Sequence, residues 1–342
     1  MGNKTLTVII PIYNSEKFLP VVFKCIEKRN EDIEVILVND GSTDSSEKLC
    51  NEFMKNSNNV KYIYQENAGV SAARNRGLEN AKSDWIVFLD SDDFMIENWD
   101  DILMESIQKN NSADVILLSN KISEQEYDRF ECAKAAIGSN ALKEAGSSLC
   151  WVFSKIYSRK FLISNNIFFN TGMINGEDML FNCEVFIKAH KIVGVNKSYY
   201  CFFKNMQSST NKFNLKIVDT EEYFHKIFWE LLCNNNLNEN KDWVYIYKKS
   251  LLTGLYSIMY RVALAEGKII KDPILYFKEK NEYKLVLKDL KSYMQDLSSI
   301  QRIVLGCLKS EMIVLPIFIM KIFCRVKAVY YIKNKNGIRV KI

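Results

Sequence analysis

Two carboxylates, Asp90 and Asp92, stand two residues apart directly behind the apolar run Trp85-Ile86-Val87-Phe88-Leu89. Five apolar residues in a row, after the turn-forming Lys82-Ser83-Asp84, read as a strand buried on both faces of a parallel sheet. Side chains two apart on a strand point the same way, and open α/β sheets bind ligands at the carboxyl ends of their strands. Burying two such charges without a partner is costly. A hard divalent cation, Mn2+ or Mg2+, carrying a phosphate-rich ligand would suit them. Taken alone, Asp92 or Asp93 could equally cap the following helix or open a turn. The neighbouring segments shift that balance.

Three further loops follow apolar runs and carry unusual polar residues: Pro11-Ile12-Tyr13-Asn14, Asn39-Asp40-Gly41-Ser42-Thr43-Asp44, and Asn67-Ala68-Gly69-Val70-Ser71-Ala72-Ala73-Arg74-Asn75. In a parallel sheet all four loops share one rim. Their chemistry suits a nucleoside diphosphate. Tyr13 offers a flat face to a base, and Asp40 can accept from a ring N–H such as uracil has. Arg74 can present its planar fork to carbonyl or phosphate oxygens, and Asp92 can hold the neutralising cation. Singly, each residue has an ordinary explanation: Asp40-Gly41-Ser42 is a good turn and Asp44 a good helix cap. At four successive strand ends together, chance explains them poorly.

The elements that must position these loops follow from hydrophobic periodicity. Apolar runs at 6–12, 33–39, 60–65, 85–89 and 114–119 predict strands, and 15–29, 44–55, 70–81 and 97–110 carry helical spacing. Repeated β-α-β units imply a mostly parallel sheet with helices on its faces. Beyond 121 the pattern loosens, with a helix expected at 177–190 and a strand from Lys197 to Phe203. From 213 it is mostly helical, broken by an asparagine-rich loop at 234–238. The expected organisation is a catalytic domain at 1–212, with a nucleotide half at 1–120 and an acceptor half at 121–212, then a helical region at 213–342.

The four loop segments, together with Val8-Ile9-Ile10 and Phe88-Leu89, resemble those of family 2 glycosyltransferases of the bacterial polysaccharide type, which have the GT-A fold. The resemblance implies a metal-dependent, inverting transfer of a sugar from a nucleotide donor, UDP-linked by expectation, to a saccharide acceptor, expected to be lipid-linked, in surface polysaccharide synthesis. By position, Tyr13 would stack on uracil, Asp40 would bond its ring nitrogen, Arg74 would contact base or phosphate, Asp90 the ribose, and Asp92 the metal. Pro11, Asn14, Asn67 and Ser91 would line the same nucleotide site. The family's later acidic pair would be Glu177-Asp178, with Asp178 the general base and Glu177 a neighbour orienting the acceptor. Without the family, Gly176-Glu177-Asp178 is equally a helix start favoured by the dipole. Lys155 resembles a lysine common in these members, and Ser208-Ser209-Thr210 their closing loop. A non-catalytic sugar-nucleotide binder or assembly scaffold is the alternative. A dinucleotide oxidoreductase would need a G-x-G-x-x-G after the first strand, where Pro11-Ile12-Tyr13-Asn14 stands.

Composition agrees with a folded globular protein: 48% hydrophobic and 25% charged residues. Nine cysteines without a C-x-x-C pair predict reduced thiols. Two histidines disfavour a multi-histidine metal centre. No secretory signal opens the chain and no apolar stretch reaches the length of a spanning helix, so a cytoplasmic location is expected, with no nucleic-acid partner. From residue 309 onward eight basic residues face Glu311 as the one acid. The stretch 312–320 is apolar, and Pro316 suits a first helical position. This basic, apolar tail is expected to lie peripherally on the inner face of the cytoplasmic membrane, or else to be a core helix with a solvated basic end.

Overall fold

The computed structural model describes residues 4–27, 30–55, 57–138, 141–142, 149–203, 216–264, 270–333 and 339–341. The chain divides into two compact units, Met1–Lys204 with Ile338–Ile342, and Asn205–Gly337. The expected boundary at 212 and the Ser208-Ser209-Thr210 loop fall outside the described residues.

In the first unit β1 (Leu6–Ile12), α1 (Leu19–Ile26), β2 (Ile33–Asp40), α2 (Ser46–Lys55), β3 (Val60–Gln65), α3 (Val70–Asn80) and β4 (Trp85–Phe88) alternate as the periodicity predicts. Next come β5 (Phe94–Met95), α4 (Trp99–Lys109), β6 (Val115–Leu118), α5 (Arg129–Ala136), β7 (Lys155–Ser158), α6 (Arg159–Ser164), α7 (Glu177–Lys188), β8 (Ile192–Val195) and β9 (Tyr200–Phe203). The main sheet has seven strands in the order β3-β2-β1-β4-β7-β6-β8. Every pairing is parallel except those of β7, which runs against both β4 and β6. Strand β1 sits centrally, Leu6 opposite Ile33 on one side and Trp85 on the other. All seven of its residues are buried, as a two-sided strand with helices on both faces requires.

Three differences from the sequence reading have local causes. Helix α1 begins at Leu19 rather than 15, because Pro20 is tolerated only in a first turn. Asn98, not Asp92 or Asp93, precedes α4 as its cap residue. The four-residue β7, too short to carry a period, is absent from the sequence reading and inserts between β4 and β6. A second, three-stranded antiparallel sheet joins β5, β9 and β10 (Arg339–Lys341). The last strand of the chain thus belongs to the first unit.

Helix α3 presses closely on the sheet. A Cβ at Gly77 would lie 2.3 Å from Ile9 Cγ2, so only glycine lets the helix backbone reach β1. This approach sets the depth of Arg74, one turn earlier on the same helix.

The second unit is helical, as expected: α8 (Lys216–Asn234), α9 (Lys241–Leu264), α10 (Asp272–Glu279), α11 (Asn281–Lys288), a 3-10 segment Leu290–Asp296, α12 (Ser299–Lys309) and α13 (Val314–Lys333). The asparagine-rich turn separates α8 from α9, and Asn236 adopts a left-handed conformation that asparagine tolerates. Leu252, Leu255 and Met259 of α9 pack in one core with Phe277, Tyr283, Leu305, Ile317 and Met320. Ser298 and Gln301 form a reciprocal capping box at the start of α12. Pro316 lies within the first turn of α13, two residues after its start, where the N–H that proline lacks would be unbonded in any case. Among the described residues, no helix is long and apolar enough to cross a membrane.

Candidate active site

The four strand-end loops do converge, and hydrogen bonds staple them pairwise. Asn14, itself left-handed, accepts from Thr43 N at 2.8 Å and donates its backbone N–H to Ser42 Oγ at 3.0 Å, tying the first loop to the second. The hydroxyls of Ser15 and Ser91 meet at 2.7 Å, tying the first to the fourth. Asp40 ties the second to the third: its Oδ1 accepts from Ala68 N at 2.8 Å and Gln65 Nε2 at 2.7 Å, and its Oδ2 from Gly69 N at 2.9 Å. Asn67 Nδ2 donates to Asp40 O at 3.0 Å. Asp44 accepts from Ser46 N at 3.0 Å, but α2 starts at Ser46, so Asp44 lies one residue before the cap position rather than in it.

Pro11 is buried in β1, whereas Tyr13, beyond the strand end, is 52% exposed and turns an open aromatic face outward. Ser91 and Asp92 are half-buried. Beneath them the second sheet braces the loop. Tyr200, from β9, donates its hydroxyl to Asp93 Oδ2 at 2.6 Å, and Asp93 is buried. Asp93 was read only as a turn or cap residue. Its anchoring role depends on a tyrosine 107 residues away.

Arg74 is the centre of the constellation. Its guanidinium donates to Asp90 Oδ1 at 2.8 Å and to Asp178 Oδ1 at 2.6 Å, with Glu177 Oε1 at 3.8 Å. The side chain is buried and lies over the Phe169 ring, 5.2 Å from its centroid. Phe169 stacks on Phe181 at 3.9 Å, and Phe88 meets it edge-on, so an aromatic floor shields the cation from water. Burial works against the charged guanidinium, but Asp178, Asp90 and Glu177 overcome it and hold Arg74 firmly charged. Among the described residues, no hydrogen-bond partner reaches its Nε.

Burial pushes the Asp178 carboxyl above the usual carboxylate range and Asp90 adds to this, while Arg74 pulls it back. Burial also raises Glu177, followed by the charge of Asp178, with Arg74 again opposing. Both residues open α7 after Gly176, whose left-handed backbone turns the chain into the helix. Asn182 fixes α7 in place: its Oδ1 accepts from Tyr157 at 2.8 Å, and its Nδ2 donates to Cys150 O at 3.2 Å and Asp178 O at 3.0 Å. Asn75 makes a reciprocal pair of 2.8 Å bonds with the Phe169 backbone. Asn75, Phe169 and Asn182 escaped the sequence reading of the site. Only Asn75, next to Arg74 in a quoted motif, offered a signal.

A model of glycosyl transferase family 2 matches residues 7–188, more than half of the chain and the whole constellation. The chain belongs to glycosyl transferase family 2. It is 30% identical over 282 residues to the glycosyltransferase GlyA of Streptococcus pneumoniae, covering 77% of this chain but 38% of that protein. The family 2 chain thus spans about two fifths of that relative's length. Its fold resembles Staphylococcus aureus TarS 1–349 bound to UDP-GlcNAc, with TM-score 0.57 and 19% identity over 94% of this chain and 92% of that one. It also resembles the Pyrobaculum calidifontis mannosyltransferase PcManGT bound to GDP-Man and Mn2+, with TM-score 0.52 and 11% identity over 94% and 88%. The mostly parallel sheet with its helical C-terminal region is the GT-A architecture of these proteins.

In this family 2 site Lys155 is wholly buried in β7, where Nζ donates to Trp151 O. Burial pushes its pKa down to about 7, opposed by the Cys150 and Asp178 charges. Lys155, like Arg74, acts electrostatically to lower the Asp178 pKa. Among the described residues, no group of three or more His, Cys, Asp or Glu side chains is arranged so that it could hold a metal ion by itself. The donors at hand are the oxygens of Asp90 and Asp92. That set fits a Mg2+ or Mn2+ ion, which takes one or two carboxylates and completes its shell with phosphate oxygens and water.

Proposed function

We propose that the protein transfers a sugar from a nucleoside diphosphate donor, most simply a UDP-sugar, to a hydroxyl of a saccharide acceptor, with inversion. The observation that carries this is the single guanidinium of Arg74 joining Asp90, from the nucleotide-side loop after β4, to Asp178, at the start of α7. Donor and acceptor chemistry would then meet across one ion cluster.

Tyr13 would support the base, and Asp40 keeps the third loop in register to receive it. Asp90 and Asp92 would hold a divalent cation, which when bound supplies charge stabilisation to the diphosphate. Asp178 takes the proton from the acceptor hydroxyl as that oxygen bonds to the anomeric carbon and the diphosphate oxygen leaves with its electron pair. Arg74 opposes the rise that burial imposes on Asp178 and so favours the ionised form that a general base needs. A lipid-linked acceptor in surface polysaccharide synthesis would place the enzyme in the cytoplasm, peripherally at the membrane.

Screening a panel of UDP-sugars for metal-dependent UDP release tests the activity. Asp178→Asn is expected to keep donor affinity by calorimetry and to lose transfer by on the order of 10²–10⁴-fold, the usual worth of a general base. Weakened donor binding with normal transfer at saturation would remove Asp178 from that role.

A further inference from the structure

Helix α13 presents two contrasting sides. Ile317 and Met320 are wholly buried in the core of the helical unit. On the other side Leu315, Phe318, Ile322 and Val326 recur at spacings of three and four, one helical face, and are 45%, 60%, 49% and 63% exposed. Val314 and Phe323 widen this face, and Met312 precedes it, all three exposed as well. A soluble helix ordinarily turns such a stripe inward. Here the inward stripe already exists, and a second apolar stripe faces out.

Charge identifies what would cover it. Lys321 and Arg325, one turn apart, border the exposed stripe beside Phe318, and Arg325 is itself exposed. Within α13 itself, Val314–Lys333, every charged residue is basic. An apolar strip edged by cations matches the boundary of an anionic bilayer: acyl chains for the strip, phosphate headgroups for the border. A second copy of the chain would bring a like-charged border against this one, which disfavours self-pairing.

We propose that the outward face of α13 docks on an anionic lipid surface, with Leu315, Phe318, Ile322 and Val326 entering the headgroup–acyl boundary and Lys321 and Arg325 pairing with lipid phosphates. The helix lies on the surface rather than crossing it. This deepens the proposed action on a lipid-linked acceptor. It is read by binding without any sugar transfer, so the two can fail separately.

Deleting the tail from residue 309 would be a poor test, because it would strip Ile317 and Met320 from the core and remove β10 from the second sheet. The test uses the full chain and substitutions confined to exposed positions. Wild-type protein, Phe318→Gln/Ile322→Gln and Arg325→Glu are floated with phosphatidylcholine vesicles, with and without about one third phosphatidylglycerol, at low and high salt. Wild type is expected to float with the anionic vesicles and to be released by salt. The double variant should lose roughly tenfold or more of that binding, and Arg325→Glu several-fold, while UDP release in detergent-free buffer is unchanged. Wild type remaining at the bottom of the gradient would overturn the proposal, as would variants floating equally well. If wild type instead forms an oligomer that the double variant dissolves and neither floats, the occupant is a second copy and the lipid assignment is wrong. Should the double variant misfold, unchanged flotation of Arg325→Glu decides against the proposal by itself.

Discussion

Arg74→Lys is the sharpest perturbation of the active site. The guanidinium spans two carboxylates, 2.8 Å to Asp90 and 2.6 Å to Asp178. A lysine keeps the charge but ends in a compact ammonium that lacks the planar fork needed to hold both partners. One charge-assisted hydrogen bond is therefore lost, worth roughly 1.5–3 kcal/mol. Where the loss falls on Asp178, that is about one to two pH units in its ionisation. The sign follows from the cluster. Burial already raises the Asp178 pKa and Arg74 opposes the rise, so weakening Arg74 moves it higher. The proposed base, Asp178, would work deprotonated, so the acid limb of the kcat/KM profile should shift upward by about one to two pH units. At a fixed pH on that acid limb the rate should fall about tenfold or more.

Stability carries the same sign. A carboxyl whose folded pKa is raised contributes stability below its unfolded value and loses it as pH rises through the folded one. The deficit of Arg74→Lys relative to wild type should thus be smallest at acid pH and grow as pH rises, read as the difference in Tm. Removing the charge altogether, as in Arg74→Met, leaves Asp90, Asp178 and Glu177 facing each other in a buried site and should cost about 3–5 kcal/mol. The conservative variant is therefore the informative one. An unmoved acid limb in a folded Arg74→Lys protein, at near wild-type rate, would refute the idea that Arg74 governs the base.

Asp92→Asn should leave the circular dichroism spectrum intact yet reduce metal-dependent UDP release below about a tenth of wild type at saturating metal, because an anionic oxygen donor is lost; a higher residual rate would remove Asp92 from the metal site. Gly77→Ala should lower stability by about 1–3 kcal/mol, because its methyl would sit 2.3 Å from Ile9 Cγ2 and push α3 off β1. A chemical-denaturation midpoint equal to wild type would show that the approach is not tight.

The alternation of β1 through α4, the four strand-end loops and the helical region beyond them were legible in the sequence, because each rests on local periodicity or turn chemistry. Short runs of Val, Ile and Leu bounded by turn residues read as two-sided strands, whereas the start of α1 at Leu19, set by Pro20, was read four residues early. What joins these elements across long separations was not legible. Strand β7 has four residues, too few for a period, and its antiparallel insertion between β4 and β6 depends on which edges the chain leaves open. The Asp93–Tyr200 bond spans 107 residues and the Arg74–Asp178 bond 104. Arg74 in the sequence was a fork in search of an anion, with base and phosphate as its expected partners. The fold brings three carboxylates to it, and a buried cation is stable only with such partners. Residue types set which chemistry was available; the closeness of α3 to β1 and the entry of α7 behind it decided which groups would share a charge.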